Sequence, residues 1–314
     1  MILIISTSDD EHIAMVTRHL DAEKVVCLFT DEIINNTLLT LSPDQLVIKL
    51  SAKVIPLNTI TSVWYRKPKP VSAKFEDTNV NQFITREWQM FLHSLYACIH
   101  DAFWVNPIPS NTAANAKLYQ LQVARKIGFA IPETIFTNNK QDALKFAQKH
   151  QSVALKVIDQ VIVTRQNAER YMYTKKLSYT ELQSLDGFNL SPVIIQEYIP
   201  KAYEIRATCV GEQIFSCRID SQGDEESLAD WRNGKISQLK HALINLPGMI
   251  ETQIKAMMKH FNLQFGAFDI LVAPDNRYVF LELNPNGQWA WIEILTKIPI
   301  GHAIAQLLQQ NGSR

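Results

Sequence analysis

Apolar positions along the chain follow two periods, and the dominant one changes twice. Met1 to Ser6 is a short apolar run and reads as a buried strand. Asp9 to Leu20 has helical spacing, Lys24 to Thr30 and Ser62 to Tyr65 read as strands, and Asn79 to His100 reads as a long helix. Strands alternating with helices predict a layered α/β domain with a mostly parallel sheet over residues 1–105. Asn106-Pro107-Ile108-Pro109-Ser110 is a cluster of chain breakers and predicts a boundary. Beyond it the pattern gives a helix from Asn115 to about Gly128, capped by that glycine, and a strand near Pro132 to Thr137. A helix near Lys140 to His150 and a strand at Val153 to Ile158 follow, making a small central α+β unit over 106–192.

From Val193 the pattern turns to hairpins, which defines a third, antiparallel unit over 193–314. Val193 to Tyr198 reads as its first strand. Tyr203 to Val210 and Gln213 to Asp220 flank Gly211-Glu212, a two-residue turn of the Gly-X type. Pro247 to Asn262 is a helix, Gln264 to Ala273 and Arg277 to Leu283 form a second hairpin around Pro274-Asp275-Asn276, and Ile300 to Gln310 closes as a helix. No internal repeat or low-complexity stretch appears.

Composition narrows the setting. The chain has 314 residues, 46% of them hydrophobic and 20% charged, enough for one large or two to three small domains. Lys plus Arg equals Asp plus Glu at 31 each, so bulk charge predicts no nucleic-acid and no membrane partner. The 4 cysteines form no C-x-x-C pair and lie mostly in apolar runs, which favours free thiols over a zinc site. MILIISTSDDEH carries no basic residue ahead of its apolar run, against a secretory signal, and no apolar run reaches spanning length. A cytoplasmic protein is expected.

The candidate chemistry lies on the second hairpin. In LELNPNGQW (281–289), Glu282 and Asn284 share a strand face, since side chains alternate. If Asp275-Asn276 centres a two-residue turn, Asp269 faces Glu282. Like charges directly opposite repel, and a cation relieves them. Oxygen-only ligands suit magnesium. Spacing alone leaves salt bridges to lysines open, and the apolar neighbours FGAFDILV and YVFLELN favour the metal. On the first hairpin Glu204 and Arg206 share a face, either as an ion pair or as a ribose acceptor beside a phosphate clamp. Lys156 in VALKVI and Lys117 in NAKLYQL are each weak signals; together they suggest a phosphate pocket. Asp230-Trp231-Arg232 lies in DSQGDEESLADWRNGK, which reads as a mobile loop. There is no Walker A sequence, no G-x-G-x-x-G and no Ser-His-Asp signature.

QEYIPKAYEIR (196–206), DWR (230–232), FGAFDILVAPDNRYVFLELNPNGQW (265–289) and VWYRKP (63–68) together resemble the ATP-grasp ribosomal peptide maturases, the microviridin- and plesiocin-type macrocyclases or graspetide synthetases. The resemblance covers nearly the whole chain. It implies an ATP-grasp fold with an N-terminal α/β pre-ATP-grasp domain, a small central domain and a C-terminal antiparallel-sheet domain, with ATP between the last two. It implies Asp269, Glu282 and Asn284 as ligands of two magnesium ions, and Lys117 and Lys156 as nucleotide-phosphate lysines. Gln196, Glu197, Tyr198 and Ile199 would meet adenine, and Glu204 the ribose. Arg206 and Arg232 would neutralise the transferring phosphoryl group and the carboxylate, and Asp230 would orient or deprotonate the nucleophile. The implied activity joins Asp or Glu side chains of a precursor peptide, leader plus core, to Ser/Thr hydroxyls or Lys amines. A homodimer is compatible with the family. VIDQVIVTRQNAERYMYTKK (157–176) lacks the glycine-rich loop of many ATP-grasp enzymes, leaving Arg165, Thr174 and Lys175 as candidates to cover the phosphates. Two other readings are an ATP-grasp ligase that adds a free amino acid, and a nucleotide- or peptide-binding module without turnover.

Overall fold

The computed structural model describes residues 1–50, 53–73, 75–159, 162–165, 168–223, 228, 230–233 and 238–311. Parts of the stretch read as a loop, residues 224–227, 229 and 234–235, lie outside the described residues, as do 160, 161, 166 and 167 of the glycine-free stretch.

The first unit is built on a parallel sheet. Its elements are β1 (Ile2–Ser6), α1 (Glu11–Thr17), β2 (Val25–Phe29), α2 (Ile33–Asn36), β3 (Thr37–Ser42), β4 (Gln45–Leu50), β5 (Lys53–Pro56), β6 (Ser62–Tyr65), α3 (Thr78–Ala97) and β7 (Phe103–Val105). The strand order is β2-β1-β6-β7, all parallel. β1 is buried end to end because both its faces are covered. Leu3 and Ile5 pack with Leu92 and Leu95 of α3, while Ile2 and Ile4 face a different cluster. The antiparallel meander β3-β4-β5 was not anticipated. It departs from the expected strand–helix alternation, and Pro43-Asp44 marks its first turn.

The breaker cluster does not interrupt the structure as expected. α4 (Ile108–Asn115) starts inside it, with Pro107 at the N-cap and Pro109 in the first turn, where a missing N–H costs no helical bond. α5 (Lys117–Ile127) follows and ends at Gly128, whose φ of 102° is the left-handed cap the sequence predicts. Then come β8 (Thr134–Thr137), α6 (Lys140–Ala147), β9 (Val153–Lys156), the hairpin β10 (Ile162–Arg165) and β11 (Ala168–Tyr171), β12 (Lys175–Leu177), α7 (Tyr179–Ser184) and β13 (Val193–Glu197). β13, expected to open the third unit, pairs instead with β8 and β9 in the central sheet β12-β9-β13-β8.

The last unit holds β14 (Tyr203–Val210), β15 (Gln213–Asp220), β16 (Lys240–Leu243), α8 (Gly248–His260), β17 (Phe265–Val272), β18 (Tyr278–Asn284), α9 (Ala290–Thr296) and α10 (Ile300–Asn311). Its sheet runs β16-β15-β14-β17-β18, antiparallel throughout. One face is apolar: Ile205, Ala207, Phe268, Ile270 and Phe280 pack on α5 and α8 through Leu121, Ala124, Ile254 and Met257. The opposite face carries the charged side chains. The first unit and the C-terminal helices share one core, in which Ile2, Ile4, Ile13 and Val16 meet Trp289, Ile292, Ile300 and Ile304. Each fully buried isoleucine there contributes about 1.5–3 kcal/mol.

Gly301 sits where α10 crosses α1, and a Cβ there would stand 2.7 Å from the Met15 carbonyl oxygen. Backbone cannot yield as a side chain can. Gly301→Ala is expected to destabilise the fold by about 1–3 kcal/mol, measured as a lower midpoint in thermal or urea unfolding.

Candidate active site

The second hairpin brings its acids together by a route different from the one assumed. Asp269 pairs with Glu282, and Ala267 with Asn284. Nearer the turn the register differs by one: Ile270 pairs with Phe280 and Val272 with Tyr278. Asn276 has φ 64°, and Ala273 N donates to Arg277 O at 2.9 Å. The loop is therefore three residues, Pro274-Asp275-Asn276, not two. A bulge at Leu281 restores the register that sets the two carboxylates opposite one another.

On this face the acids are met by cations from several elements. Lys117, at the first position of α5, donates to Glu282 Oε2 at 2.8 Å and to Asn284 Oδ1 at 3.4 Å. Arg206 Nη1 lies 2.6 Å from Asp269 Oδ1. Arg232 Nη1 stands 3.6 Å from Glu282 Oε1. Asn284 Nδ2 donates to Glu282 Oε1 at 3.0 Å and to Asp269 Oδ2 at 3.3 Å. A cavity of about 550 Å³ opens here, walled by Lys117, Lys156, Glu204, Asp230, Arg232, Asp269, Glu282 and Asn284. Arg206, expected at the transferring group, does not line it; it stands behind Asp269, 5% exposed. Thr174 lines the cavity, whereas Lys175 lines a separate cleft beside β12.

A narrow slot of about 40 Å³ continues the cavity, and Lys156, Thr174, Glu204 and Leu281 line both. Gln196, Glu197, Tyr198 and Ile199 form its wall. Gln196 Nε2 donates to Thr134 Oγ1 at 3.1 Å, and Ile199 is buried against Leu271 and Val279. Glu204 is held by Lys201 at 2.9 Å and by the Ser221 hydroxyl at 2.6 Å. Asp230 is held more fully: Arg232 Nε and Nη2 each reach it at 2.8 Å, and the Arg232 and Thr174 amides donate to it at 3.1 and 3.3 Å. Trp231 between them is buried and packs on Trp291 at 5.0 Å, pinning the loop.

Two amides that the motifs did not mark frame the acids. Gln120 on α5 donates to Leu283 O at 2.5 Å and to Ala114 O, and accepts from Leu283 N at 2.9 Å. Asn106 donates to Phe265 O and Pro285 O, both at 2.9 Å, and accepts from the Gln264 and Phe265 amides. Both are buried; Gln120 satisfies the outer edge of β18 at Leu283, and Asn106 satisfies the backbone at the start of β17 and at Pro285. Gly287 folds the loop back onto the sheet, and a Cβ there would collide with Ala267 Cβ. Isolated Gln and Asn residues carry no sequence signal; only the glycine after Asn284 hints at this approach.

Residues 1–112 match the family model of the MvdD pre-ATP grasp domain. The macrocyclase MdnC of Microcystis aeruginosa MRC, solved with the precursor peptide MdnA, is 32% identical with a TM-score of 0.88, over 99% of each chain. The chain belongs to the ATP-grasp peptide macrocyclase family. A RiPP-associated ATP-grasp ligase of Chryseobacterium gregarium, solved with ADP and a leader and core peptide, is 29% identical with a TM-score of 0.91 over 100% of this chain and 97% of that one. Among curated proteins, a glutathione synthetase of Thermosynechococcus vestitus is 29% identical over 178 residues, 54% of this chain and 49% of that synthetase. The chain thus spans about half the length of the curated relative it matches.

Within this family member's site the electrostatics divide the acids. Burial pushes Asp269 up to about 6; Arg206 opposes the shift and Glu282 adds to it. Burial also opposes the charge of Glu282, yet Lys117 and Arg232 hold its carboxyl well below the usual range. Burial lowers Lys156, with Glu282 and Asp230 drawing it back, and it makes no ion pair with a described residue. A half-buried ammonium in a cavity wall is suited to an anion. Two facing carboxylates and an amide form a hard-oxygen donor set that fits magnesium. Asn284 Oδ1 faces Lys117, so ligation requires its amide to turn over. No group of three His, Cys, Asp or Glu side chains among the described residues makes a separate metal site, and no described helix is long and apolar enough to cross a membrane.

Asp269, raised, becomes less costly to the fold as pH falls through about 6. Glu282, depressed, contributes stability that is fully present above its unfolded value and is lost as pH falls from there through its folded value. Carboxyl carbon NMR of the ligand-free protein should show Asp269 titrating near pH 6 while Glu282 stays ionised. In Lys117→Met the Glu282 titration should move upward, because its strongest cation is gone; an unmoved Glu282 would count against this pairing.

Proposed function

We propose that this chain is an ATP-dependent macrocyclase acting on a ribosomal precursor peptide, leader plus core. Its activity joins an Asp or Glu side chain of that peptide to a Ser or Thr hydroxyl, or a Lys amine, of the same peptide. The observation that carries this reading is the pair of facing carboxylates, Asp269 and Glu282, set among Lys117, Arg206 and Arg232 at the wall of the cavity. The precursor peptides and ADP seen with the Microcystis and Chryseobacterium enzymes support a peptide and a nucleotide as the ligands here.

Lys117 and Lys156 hold the nucleotide phosphates. Adenine enters along Gln196, Glu197, Tyr198 and Ile199, widening the slot between the central sheet and β14. Glu204 accepts a ribose hydroxyl. Asp269, Glu282 and Asn284 would hold two magnesium ions. Magnesium, when bound, supplies charge neutralisation at the phosphate oxygens. Arg232 reaches the peptide carboxylate, which attacks the γ-phosphorus; the bond to the bridging oxygen breaks, ADP leaves, and an acyl phosphate forms. A hydroxyl or amine of the peptide then attacks the acyl carbon, the bond to the phosphate oxygen breaks, and the departing phosphate carries away the nucleophile's proton. Asp230 is engaged at both oxygens by Arg232, so its part is to hold that guanidinium in place, not to take the proton. Arg206 acts from behind, fixing Asp269. Catalysis of this kind rests on positioning and charge.

The partial match to a glutathione synthetase favours one second reading, addition of a free amino acid. Co-expression with the short peptide encoded beside the enzyme separates the two. Loss of whole water masses from the peptide is expected, with none lost in Glu282→Gln at retained fold. A peptide that gains an amino-acid residue mass supports the second reading. Normal cyclisation by Glu282→Gln would overturn the metal role.

A further inference from the structure

Residues 285–290 lead from the Asn284 end of β18 into α9, and two of the side chains that hold their backbone, His12 and Arg66, come from the first unit. His12 Nε2 accepts from the Trp289 and Ala290 amides at 3.3 and 3.2 Å. These are the first amides of α9, whose N-cap, Trp289, offers no side-chain bond of its own. His12 Nδ1 lies 2.7 Å from Asp10 Oδ1. Two N–H groups aimed at Nε2 assign the ring proton to Nδ1, facing Asp10. Ser6 Oγ donates to the other Asp10 oxygen at 2.9 Å, and Arg66 Nε stands 3.6 Å from it. Arg66 Nη1 donates to Asn286 O at 2.5 Å and Nη2 to Gln288 Oε1 at 3.4 Å. Arg206 Nη2 reaches Gln288 O at 3.3 Å while its other arm holds Asp269.

His12 and Arg66 are each 1% exposed. Burial pulls the Arg66 guanidinium down to about 10, Asp10 holds it up, and the nearby Arg206 pushes it down again. A buried cation beside a second cation is poor packing for stability alone. It does fix one backbone position, because the fork donates in set directions. Asp10 and His12 follow β1, and Arg66 follows β6, so one rigid sheet presents all three.

We propose that Asp10, His12 and Arg66 are positioning residues that hold 285–290 from the first unit and thereby set Asn284 and Asp269 for magnesium-nucleotide binding. The inference rests on the nucleotide site of the proposed function, though not on its peptide. The test uses the full chain and ADP with Mn²⁺ as probe, followed by paramagnetic resonance, with backbone amide exchange at 287–290 as a second readout. Wild-type binding is measured first, and its failure would count against the nucleotide site itself. In His12→Ala and Arg66→Ala, Mn²⁺ affinity is expected to fall about 10–100-fold, as for residues that orient metal ligands, with faster exchange at Trp289 and Ala290. Arg66→Lys, which keeps a donor for Asn286 O, should recover part of the affinity. Arg18→Ala is the control, since it removes the ion pair to Glu293 between α1 and α9 without touching the loop; it should bind within about twofold of wild type. Folded His12 and Arg66 variants with wild-type Mn²⁺ affinity would overturn the proposal. So would an equal loss in Arg18→Ala, which would mean general loosening. If the alanine variants do not fold, Arg66→Lys and His12→Asn decide by the same titration.

Discussion

Two carboxylates face each other across the β17–β18 pair, and the rest of the molecule is arranged around that repulsion. In water it would cost little; on a mostly buried sheet face it costs more, because the surroundings screen it poorly. The compensating cations come from separate elements: Lys117 from the start of α5, Arg206 from β14 and Arg232 from the loop after β15. Each is held independently. Arg232 is locked by Asp230, α5 is bonded to β18 through Gln120, and Arg206 reaches the Gln288 backbone. The acids thus tie the strands, the loop and α5 to one small volume.

That volume also explains why the apolar core crosses the boundary expected near residue 105. Trp289 is fully buried between α1, β1 and α10. It follows the acids by a few residues, so the strand end and the first unit cannot move far apart without exposing an indole. The β14–β18 sheet carries Asp269, Glu282 and Asn284, the central sheet carries Lys156, and the first unit supplies the seat for the loop that follows β18.

Much of this was legible in the sequence where local chemistry decides the outcome. Gly211-Glu212 closes β14 on β15 as read, and Gly128 caps α5 with a left-handed φ. Asp269 does face Glu282, but through a three-residue loop and a bulge whose effects cancel. A bulge leaves no mark in a strand of alternating apolar residues, so spacing could not have found it. The prolines at 107 and 109 were read as breakers because a proline stops a helix it interrupts but also opens one. β13 was misallotted because a strand's partners are set by tertiary pairing that its own sequence does not carry. Asn106, Gln120 and His12 escaped notice for the same reason: each is a single polar residue whose role exists only across more than a hundred residues of chain.

The ion pairs of the two acids have a consequence for binding. Lys117 and Arg232 now neutralise Glu282, and Arg206 neutralises Asp269. Under the proposed function, magnesium at the carboxylates would free Lys117 for the phosphates and Arg232 for the peptide carboxylate, so little net charge would have to be created or desolvated in the exchange. Lys156 faces the cavity with no ion pair among the described residues, which suits it to the anion of the proposed function. Arg206 differs because it lies behind the acid and also bonds the loop backbone, so it has reason to stay where it is. Acids that are already paired with cations pay less of the burial cost at the moment of binding, and the pairing fixes the strand register.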